Sequence, residues 1–257
     1  MHSLNNKVAL INGGTTGIGL TVAKNFVDTG ATVIITGRRD ATQAASDIGA
    51  YFRVLDVTDE QAVKDLVDAV AKEFGNIDIL VNNAGIAEDV GFIDASPTDF
   101  MKRCLDVNVM GVYYALKYAP SFMNDGGSII NTGSAAGSRT TMPGNSEYAG
   151  SKAAVAYITR SVALELAPRA IRVNAICPAI IAGTGMMAPD DGSDESKFLG
   201  SLTALGRMGR QDEITGIYNF LASDSASFIT GQEICVDGGL TAGIGLPMLS
   251  AMEGESD

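Results

Sequence analysis

Short β-branched runs alternate with longer stretches of helical periodicity along this chain, and that alternation constrains the fold more than any other feature. Strands are expected at residues 7–12, 32–36, 52–55, 79–82, 128–132, 172–176 and 233–236. Helices are expected at 15–29, 41–48, 60–74, 98–122, 147–166 and 211–222. In the third of these, Ala62, Val63, Leu66 and Val70 fall at helical spacing. Ser96 and Pro97 read as N-cap and first residue of the long helix that follows. Strands joined by helical crossovers pair in parallel, and an apolar parallel sheet has to be covered on both faces. The fold class is therefore α/β, a doubly wound, mostly parallel sheet of seven strands with helices on both faces. Ligands are expected at the carboxyl ends of the strands, where the strand order switches.

No Pro/Ser-rich linker, charge run or internal repeat divides residues 1–257, so a single domain is expected. Residues 183–200 (GTGMMAPDDGSDESKFLG) break the alternation. They follow the carboxyl end of a strand, which favours a substrate lid over a disordered loop. Residues 246–257 read as a C-terminal tail.

Composition excludes several function classes. The formal charge of −12 repels phosphate backbones and anionic lipid, so neither nucleic acid nor membrane is expected as a partner. Residues 1–7 lack the pattern of a secretory leader, and no apolar run reaches the ~18 residues a membrane span needs. Cys104, Cys177 and Cys235 form no CxxC pair; reduced thiols and a cytoplasmic location are expected, with Cys177 and Cys235 in the core. The only histidine is His2, in a terminus expected to fray. A Ser-His-Asp hydrolase is thereby excluded, as are most catalytic zinc sites. The stretch from Gly133 to Gly137 (GSAAG) is not the G-x-S-x-G of a nucleophile elbow either.

The first strand runs into Gly13-Gly14-Thr15-Thr16-Gly17-Ile18-Gly19, which opens a helix. Gly13 permits the tight turn, Gly17 lets the backbone approach a pyrophosphate, and Gly19 lets helix and strand pack closely. The helix N-terminus offers N–H groups and a partial positive charge to that pyrophosphate. Near the end of the second strand, a carboxylate would select NAD(H) through the ribose 2′-hydroxyl. The chain has Arg38 and Arg39 there, and a guanidinium suits a 2′-phosphate. NADP(H) is favoured and NAD(H) remains open, because Asp40 lies close by.

These motifs, taken in order, resemble the short-chain dehydrogenase/reductase family over almost the whole chain. The glycine turn matches its G-x-x-x-G-I-G, Asp56 and Val57 its adenine-contacting segment, and Asn82-Asn83-Ala84-Gly85 its N-N-A-G. Asn108 matches its mid-helix asparagine, Tyr148 to Lys152 its Y-x-x-x-K, and residues 171–178 and 228–239 its late segments. The resemblance implies a Rossmann fold. It also implies cofactor contacts from Gly13, Thr15, Thr16, Gly17, Ile18, Gly19, Asp56, Val57, Asn83, Ala84, Gly85, Tyr148, Lys152 and Pro178.

Tyr148 and Lys152 lie one helical turn apart on one face. A free tyrosine is a poor base at neutral pH, but an ammonium and an oxidised nicotinamide nearby both favour phenolate. Such a phenol can take an alcohol's proton as hydride departs, or return it in carbonyl reduction. The resemblance assigns Tyr148 that role and gives Lys152 the nicotinamide ribose. It makes Ser134 the donor that positions the substrate oxygen, with Ser138 as an alternative. Asn108 is implied to hold a relay water, the alternative being a helix-kink asparagine satisfied by backbone.

Two departures stand out. The spacing from Ser134 to Tyr148 is one residue longer than is common in the family. After Pro178, Ala179 replaces the usual glycine and Thr184 is displaced by one, leaving the Ile181 backbone and the Thr184 hydroxyl as candidate carboxamide contacts. Val90, Phe92, Met142, Met186, Met187 and Phe198 are expected pocket walls, which suggests an uncharged, moderately apolar secondary alcohol or ketone. Glu147 either touches a polar substrate or favours the helix start. The expected function is an NAD(P)-dependent alcohol dehydrogenase or carbonyl reductase, as a homo-oligomer (tetramer or dimer). The alternatives are a non-catalytic dinucleotide-binding sensor or scaffold, and an epimerase or dehydratase that uses hydride transiently.

Overall fold

The computed structural model describes residues 1–88, 91–187 and 189–254, the last four by backbone alone. All seven expected strands form: β1 (Val8–Asn12), β2 (Thr32–Gly37), β3 (Tyr51–Val54), β4 (Ile77–Asn82), β5 (Met123–Thr132), β6 (Arg172–Pro178) and β7 (Glu233–Val236). They make one sheet in the order β3-β2-β1-β4-β5-β6-β7, and each neighbouring pair is parallel. The chain steps outward from β1 to β3 and then returns to β4 beside β1. The switch in strand order therefore lies between the first and fourth strands, and the fold is the doubly wound Rossmann type.

Ten helical segments are described: α1 (Gly17–Asp28), α2 (Thr42–Asp47), α3 (Glu60–Phe74), α4 (Thr98–Cys104), α5 (Gly111–Tyr118), α6 (Ala135–Ser138), α7 (Ser146–Leu166), α8 (Asp194–Ser201), α9 (Gln211–Ala222) and α10 (Leu246–Gly254). They cover both faces of the sheet. One core layer joins Val22 and Phe26 of α1 and Ile214, Tyr218 and Leu221 of α9 to Ala9, Ile11, Val33 and Ile35. The other joins Val63 and Val67 of α3, Val112 and Leu116 of α5 and Val155 of α7 to Leu10, Ile34, Leu80 and Ile129. Alternate residues of β1 thus feed opposite layers, which is why that strand is apolar from Val8 to Ile11.

Four local expectations need correction. The long helix is not continuous: a π-helical segment, Leu105–Met110, separates α4 from α5, and a 3-10 turn ends it at Ala119–Phe122. Pro97, not Ser96, is the N-cap of α4, because the Ser96 hydroxyl is drawn to the Glu147 carboxylate instead. The stretch 183–200 contains the start of α8, whose N-cap Ser193 accepts from Ser196 N–H and whose first turn holds Asp194 and Glu195. Capping rather than an apolar stripe makes that helix, so periodicity did not reveal it. The N-terminus is pinned: His2 N–H donates to Asn219 Oδ1 at 2.7 Å, its carbonyl accepts from Asn219 Nδ2, and its ring nitrogen pairs with the Ser225 hydroxyl. Residues 246–254 of the expected tail are helical, and no helix among the described residues is long and apolar enough to cross a membrane. Val90, expected as a pocket wall, lies outside the described residues.

Candidate functional site

The glycine turn sits at the switch point. Gly13 has φ +76°, and a Cβ there would lie 2.6 Å from the backbone of Ala84. Only glycine serves where the turn after β1 crosses the one after β4. Asn83 ties the same two turns, its Nδ2 donating to the Gly13 carbonyl at 2.8 Å, and a Cβ on Gly19 would meet that Nδ2 at 2.6 Å. Thr16 caps α1 with extended backbone and no side-chain hydrogen bond, so no side chain competes with an anion for the first N–H groups of the helix. Ile18 is packed against the core, leaving only its backbone for a ligand.

At the end of β2, just before Arg38, a Cβ on Gly37 would lie 2.7 Å from the Thr15 methyl. Arg38 and Arg39 are exposed. Asp40 is turned away: its carboxylate accepts from the Thr42 N–H at 2.9 Å and from the Thr42 hydroxyl, which hold its pKa below the usual range. Asp56 accepts from the N–H and hydroxyl of Thr58, and Arg38 adds a weaker lowering of its pKa. Val57 is buried against Gly111, where a Cβ would come within 2.8 Å of it.

Tyr148 and Lys152 come from the first turns of α7, and Ser134 caps the short α6 turn after β5. Ser134 Oγ accepts the Ala136 N–H at 3.2 Å and is hydrogen-bonded to the Tyr148 phenol. The Lys152 ammonium donates to the Thr132 carbonyl at 2.8 Å and lies 5.8 Å from the Tyr148 ring centroid. Asn108 is fully buried; its Oδ1 accepts from Ile86 N–H, while its Nδ2 donates to the Ile86 carbonyl and to Ser151 Oγ. A Cβ on Gly85 would sit 3.2 Å from Asn108 Oδ1 and 3.4 Å from Lys152 Nζ, which places these three residues at one spot. Asn108, within the π segment, is thus satisfied by the backbone of Ile86 after β4, and at the same time stands beside the lysine.

The electrostatics differ from expectation in one respect. Burial raises the Tyr148 pKa above 10, and the Ser134 hydroxyl opposes that rise. Burial lowers Lys152 to about 8, so with the chain's own charges alone the lysine does not pull the phenol down. Desolvation outweighs proximity here. Ser138, the alternative donor, is committed elsewhere, its hydroxyl donating to Glu233 Oε2 at 2.6 Å. Glu147 accepts from the Ser96 and Ser146 hydroxyls, which lower its pKa, and so latches the start of α7 to the segment before α4.

The structure brings the segment after Pro178 onto the same cleft. The Thr184 carbonyl would be 2.8 Å from a Cβ on Gly17, and Met186 Cε 3.8 Å from one on Gly85. The Thr184 hydroxyl turns back to the Ile181 carbonyl at 3.3 Å. Ile181 is buried and bridged to Gly209. Gln211 Nε2 holds the Gly183 carbonyl at 2.6 Å while its Oε1 accepts from Thr21 of α1. Of the expected pocket walls, Phe92, Met142, Met186 and Phe198 are exposed and Met187 is half-buried. Cys104 and Cys177 are buried, whereas Cys235 is only partly so.

A buried polar ladder beneath the site escaped the sequence reading. Thr36 Oγ1 donates to Asn12, Asn12 Nδ2 to Asn82 at 3.1 Å, Asn82 Nδ2 to Asn131 at 2.9 Å, and Asn131 Nδ2 to Thr159. Strand register aligns Asn12 with both Thr36 and Asn82, and Asn82 with Asn131. The available signal was an asparagine near the end of each of three apolar strands.

Residues 13–241 match the family model described as enoyl-(acyl carrier protein) reductase. The chain is 37% identical over 246 residues to a 3alpha-hydroxysteroid dehydrogenase of Mediterraneibacter gnavus, covering 91% of this chain and 97% of that one. It is 37% identical over 250 residues to an NADP-dependent (R)-specific alcohol dehydrogenase of Lentilactobacillus kefiri, covering 93% and 98%. Among solved structures, a short-chain dehydrogenase/reductase from Serratia marcescens superposes with a TM-score of 0.88 at 35% identity, covering 93% of this chain and all of that one.

Proposed function

Because this chain belongs to the short-chain dehydrogenase/reductase family, we propose that it interconverts a secondary alcohol and a ketone, with Tyr148 as general acid/base. The observation that carries this reading is the cluster of Ser134, Tyr148 and Lys152 at the carboxyl ends of the strands, beside the glycine turn. A bare dinucleotide sensor has no need of that cluster.

The residues present fit a nicotinamide dinucleotide: an uncapped helix N-terminus for its diphosphate, Gly13 and Gly85 kept small, and Lys152 and Asn108 converging on Gly85. A bound nicotinamide supplies the hydride acceptor or donor. Tyr148 holds or releases the proton at its phenol oxygen. Ser134 is hydrogen-bonded to that phenol in the free chain, which supports its hydroxyl as the donor to a substrate oxygen. Lys152 carries charge into a buried setting and is kept there by the Thr132 carbonyl.

NADP(H) is the preferred cofactor in this reading. Asp40 is engaged with Thr42, while Arg38 and Arg39 are exposed at the end of β2. The similarity to an NADP-dependent alcohol dehydrogenase supports the same choice. The stretch 183–200 acts as the lid, since it packs onto Gly17 and Gly85. Exposed Phe92, Met142, Met186 and Phe198 suit an uncharged, moderately apolar substrate, and exposed Leu105 of the π segment and Tyr113 of α5 suit a homo-oligomer.

The test is a screen of secondary alcohols and ketones with each cofactor, Tyr148→Phe serving as control. Turnover with NADP(H) that Tyr148→Phe lowers by at least about a hundredfold supports the reading. Silence across the panel despite cofactor binding supports the sensor instead. If Arg38→Ala leaves NADP(H) affinity unchanged, the arginine is not the phosphate clamp.

A further inference from the structure

Ser134 and Tyr148 belong to different elements, one to a short turn after β5 and the other to α7. We propose that Glu233 is the positioning residue that holds them in register: one carboxylate on β7 ties the Ser134 turn to the helix bearing Tyr148 and Lys152. This inference rests on the catalytic assignment of Ser134 and Tyr148 made above.

The carboxylate divides its two oxygens between the two elements. Oε2 accepts the hydroxyl of Ser138, the last residue of α6, at 2.6 Å. Oε1 pairs with Arg160 Nη2 of α7, also at 2.6 Å. The Glu233 side chain is 9% exposed although Arg160 is 55% exposed, so the acid itself is shielded from solvent screening. Its backbone is fixed by the sheet, where Glu233 pairs with Ala175 of β6.

The turn needs such an anchor. Inside α6, Ala136 and Gly137 have non-helical backbone, with Gly137 at φ +93°, so no helical ladder holds Ser134 to Ser138. Its internal bonds are few: Gly137 N–H to the Thr140 carbonyl at 2.9 Å, and Arg139 and Thr140 N–H to the Ala135 carbonyl at 3.2 Å; outside it, the Cys177 sulfur on β6 is hydrogen-bonded by the Ser134 backbone and the Ser138 hydroxyl, a soft acceptor weaker than a carboxylate. The turn presses directly on α7, where a Cβ on Gly137 would run into the carbonyl of Ala149, next to Tyr148. A rigid acceptor at the far end of so tight a turn fixes the near end, where Ser134 sits. A carboxylate suits this position because both of its oxygens accept, and charged acceptors make the shorter, stronger hydrogen bonds. Glutamine keeps the shape but accepts on one side only, and its amide would face the guanidinium of Arg160.

The consequence is chemical. The Ser134 hydroxyl holds the Tyr148 pKa down against burial, so a turn that drifts lets that pKa climb. The glycine turn and Arg38 lie on the other side of the cleft and are not affected. Full-length Glu233→Gln and Ser138→Ala proteins are compared with the unaltered protein for kcat, KM, cofactor Kd and the pH profile of alcohol oxidation. The expected result is a fall in kcat of about tenfold to a hundredfold in both, with cofactor Kd and substrate KM unchanged. The acid limb of the profile moves up by about half to one pH unit. Combining the two substitutions costs no more than the larger single effect, as for residues acting through one contact.

An unchanged acid limb in both variants overturns the proposal, even where melting temperature falls, because a purely structural role would not move that limb. Should Glu233→Gln fail to fold, Ser138→Ala alone carries the test, since it removes a single hydroxyl. If Tyr148→Phe keeps its activity, the catalytic assignment has failed rather than the role of Glu233.

Discussion

The Lys152 ammonium donates to the carbonyl oxygen of Thr132 at 2.8 Å, tying α7 to the end of β5 next to Tyr148. The lysine is 3% exposed, and burial lowers its pKa from 10.5 to about 8. That drop means the folded chain holds a charge it would rather lose.

Replacing this lysine should therefore separate stability from function. The lowered pKa corresponds to ~3 kcal/mol of strain at pH 7. Leaving the Thr132 carbonyl without a partner takes back about 1 kcal/mol. Lys152→Met, similar in volume, is expected to be more stable than the unaltered protein by ~2 kcal/mol at pH 7 and inactive. The sign has a pH window. A depressed lysine pKa makes the folded state gain relative stability as pH rises from 8 toward 10.5, so the advantage of Lys152→Met should shrink over that range. Urea unfolding at pH 7 and pH 9.5 measures it, and a variant less stable at pH 7 would contradict the argument.

The raised Tyr148 pKa sets the pH dependence of the two directions of reaction. Near neutrality the phenol is protonated. Carbonyl reduction, which needs a proton donor, should be level through pH 6–8 and fall only in strong alkali. Alcohol oxidation needs the phenolate and should climb with pH through that same range. Initial rates of nicotinamide absorbance change in each direction test this. An oxidation optimum at or below pH 7 would be incompatible with a phenol raised by burial.

The asparagine ladder should behave as a unit. Asn82 is 3% exposed and connects Asn12 to Asn131 through its oxygen and its nitrogen. Asn82→Ala orphans a buried donor on one side and a buried acceptor on the other, a cost of ~2–5 kcal/mol. Asn82→Asp should be at least as damaging, because a carboxylate cannot donate to Asn131 Oδ1 and buries a charge. Melting curves give the stability loss. Cofactor affinity should fall as well, since the ladder underlies the turns at Gly13 and Asn83. A loss under about 0.5 kcal/mol in Asn82→Ala would mean the ladder carries no weight.

Local pattern was sufficient for much of this molecule. The apolar runs of β1, β2, β4, β5 and β6 marked their strands because these inner strands are buried on both faces, while the edge strands β3 and β7 are only partly covered. The glycine turn announced an anion cradle because no other residue permits Gly13 to cross Ala84. Tyr148 and Lys152 were legible because helical spacing alone puts them on one face.

Contacts between distant segments were not legible in this way. Three strand-end asparagines become a ladder only through the order and register of the sheet. Within the π segment, the Asn108 carboxamide pairs with the backbone of Ile86, a partner outside its own helix. Ser96 abandons its helix for Glu147, and Ser138 turns from the substrate side toward Glu233. Even the direction of the Tyr148 pKa was decided by packing, since burial depends on everything around the phenol and outweighs the lysine one turn away. The sequence by itself determined which segments become strands and helices and which residues bring chemistry, because those follow from local periodicity and residue type. Tertiary structure alone decided which of those residues touch, how deeply each is buried and what charge each keeps, because desolvation and hydrogen-bond pairing depend on parts of the chain far apart in sequence.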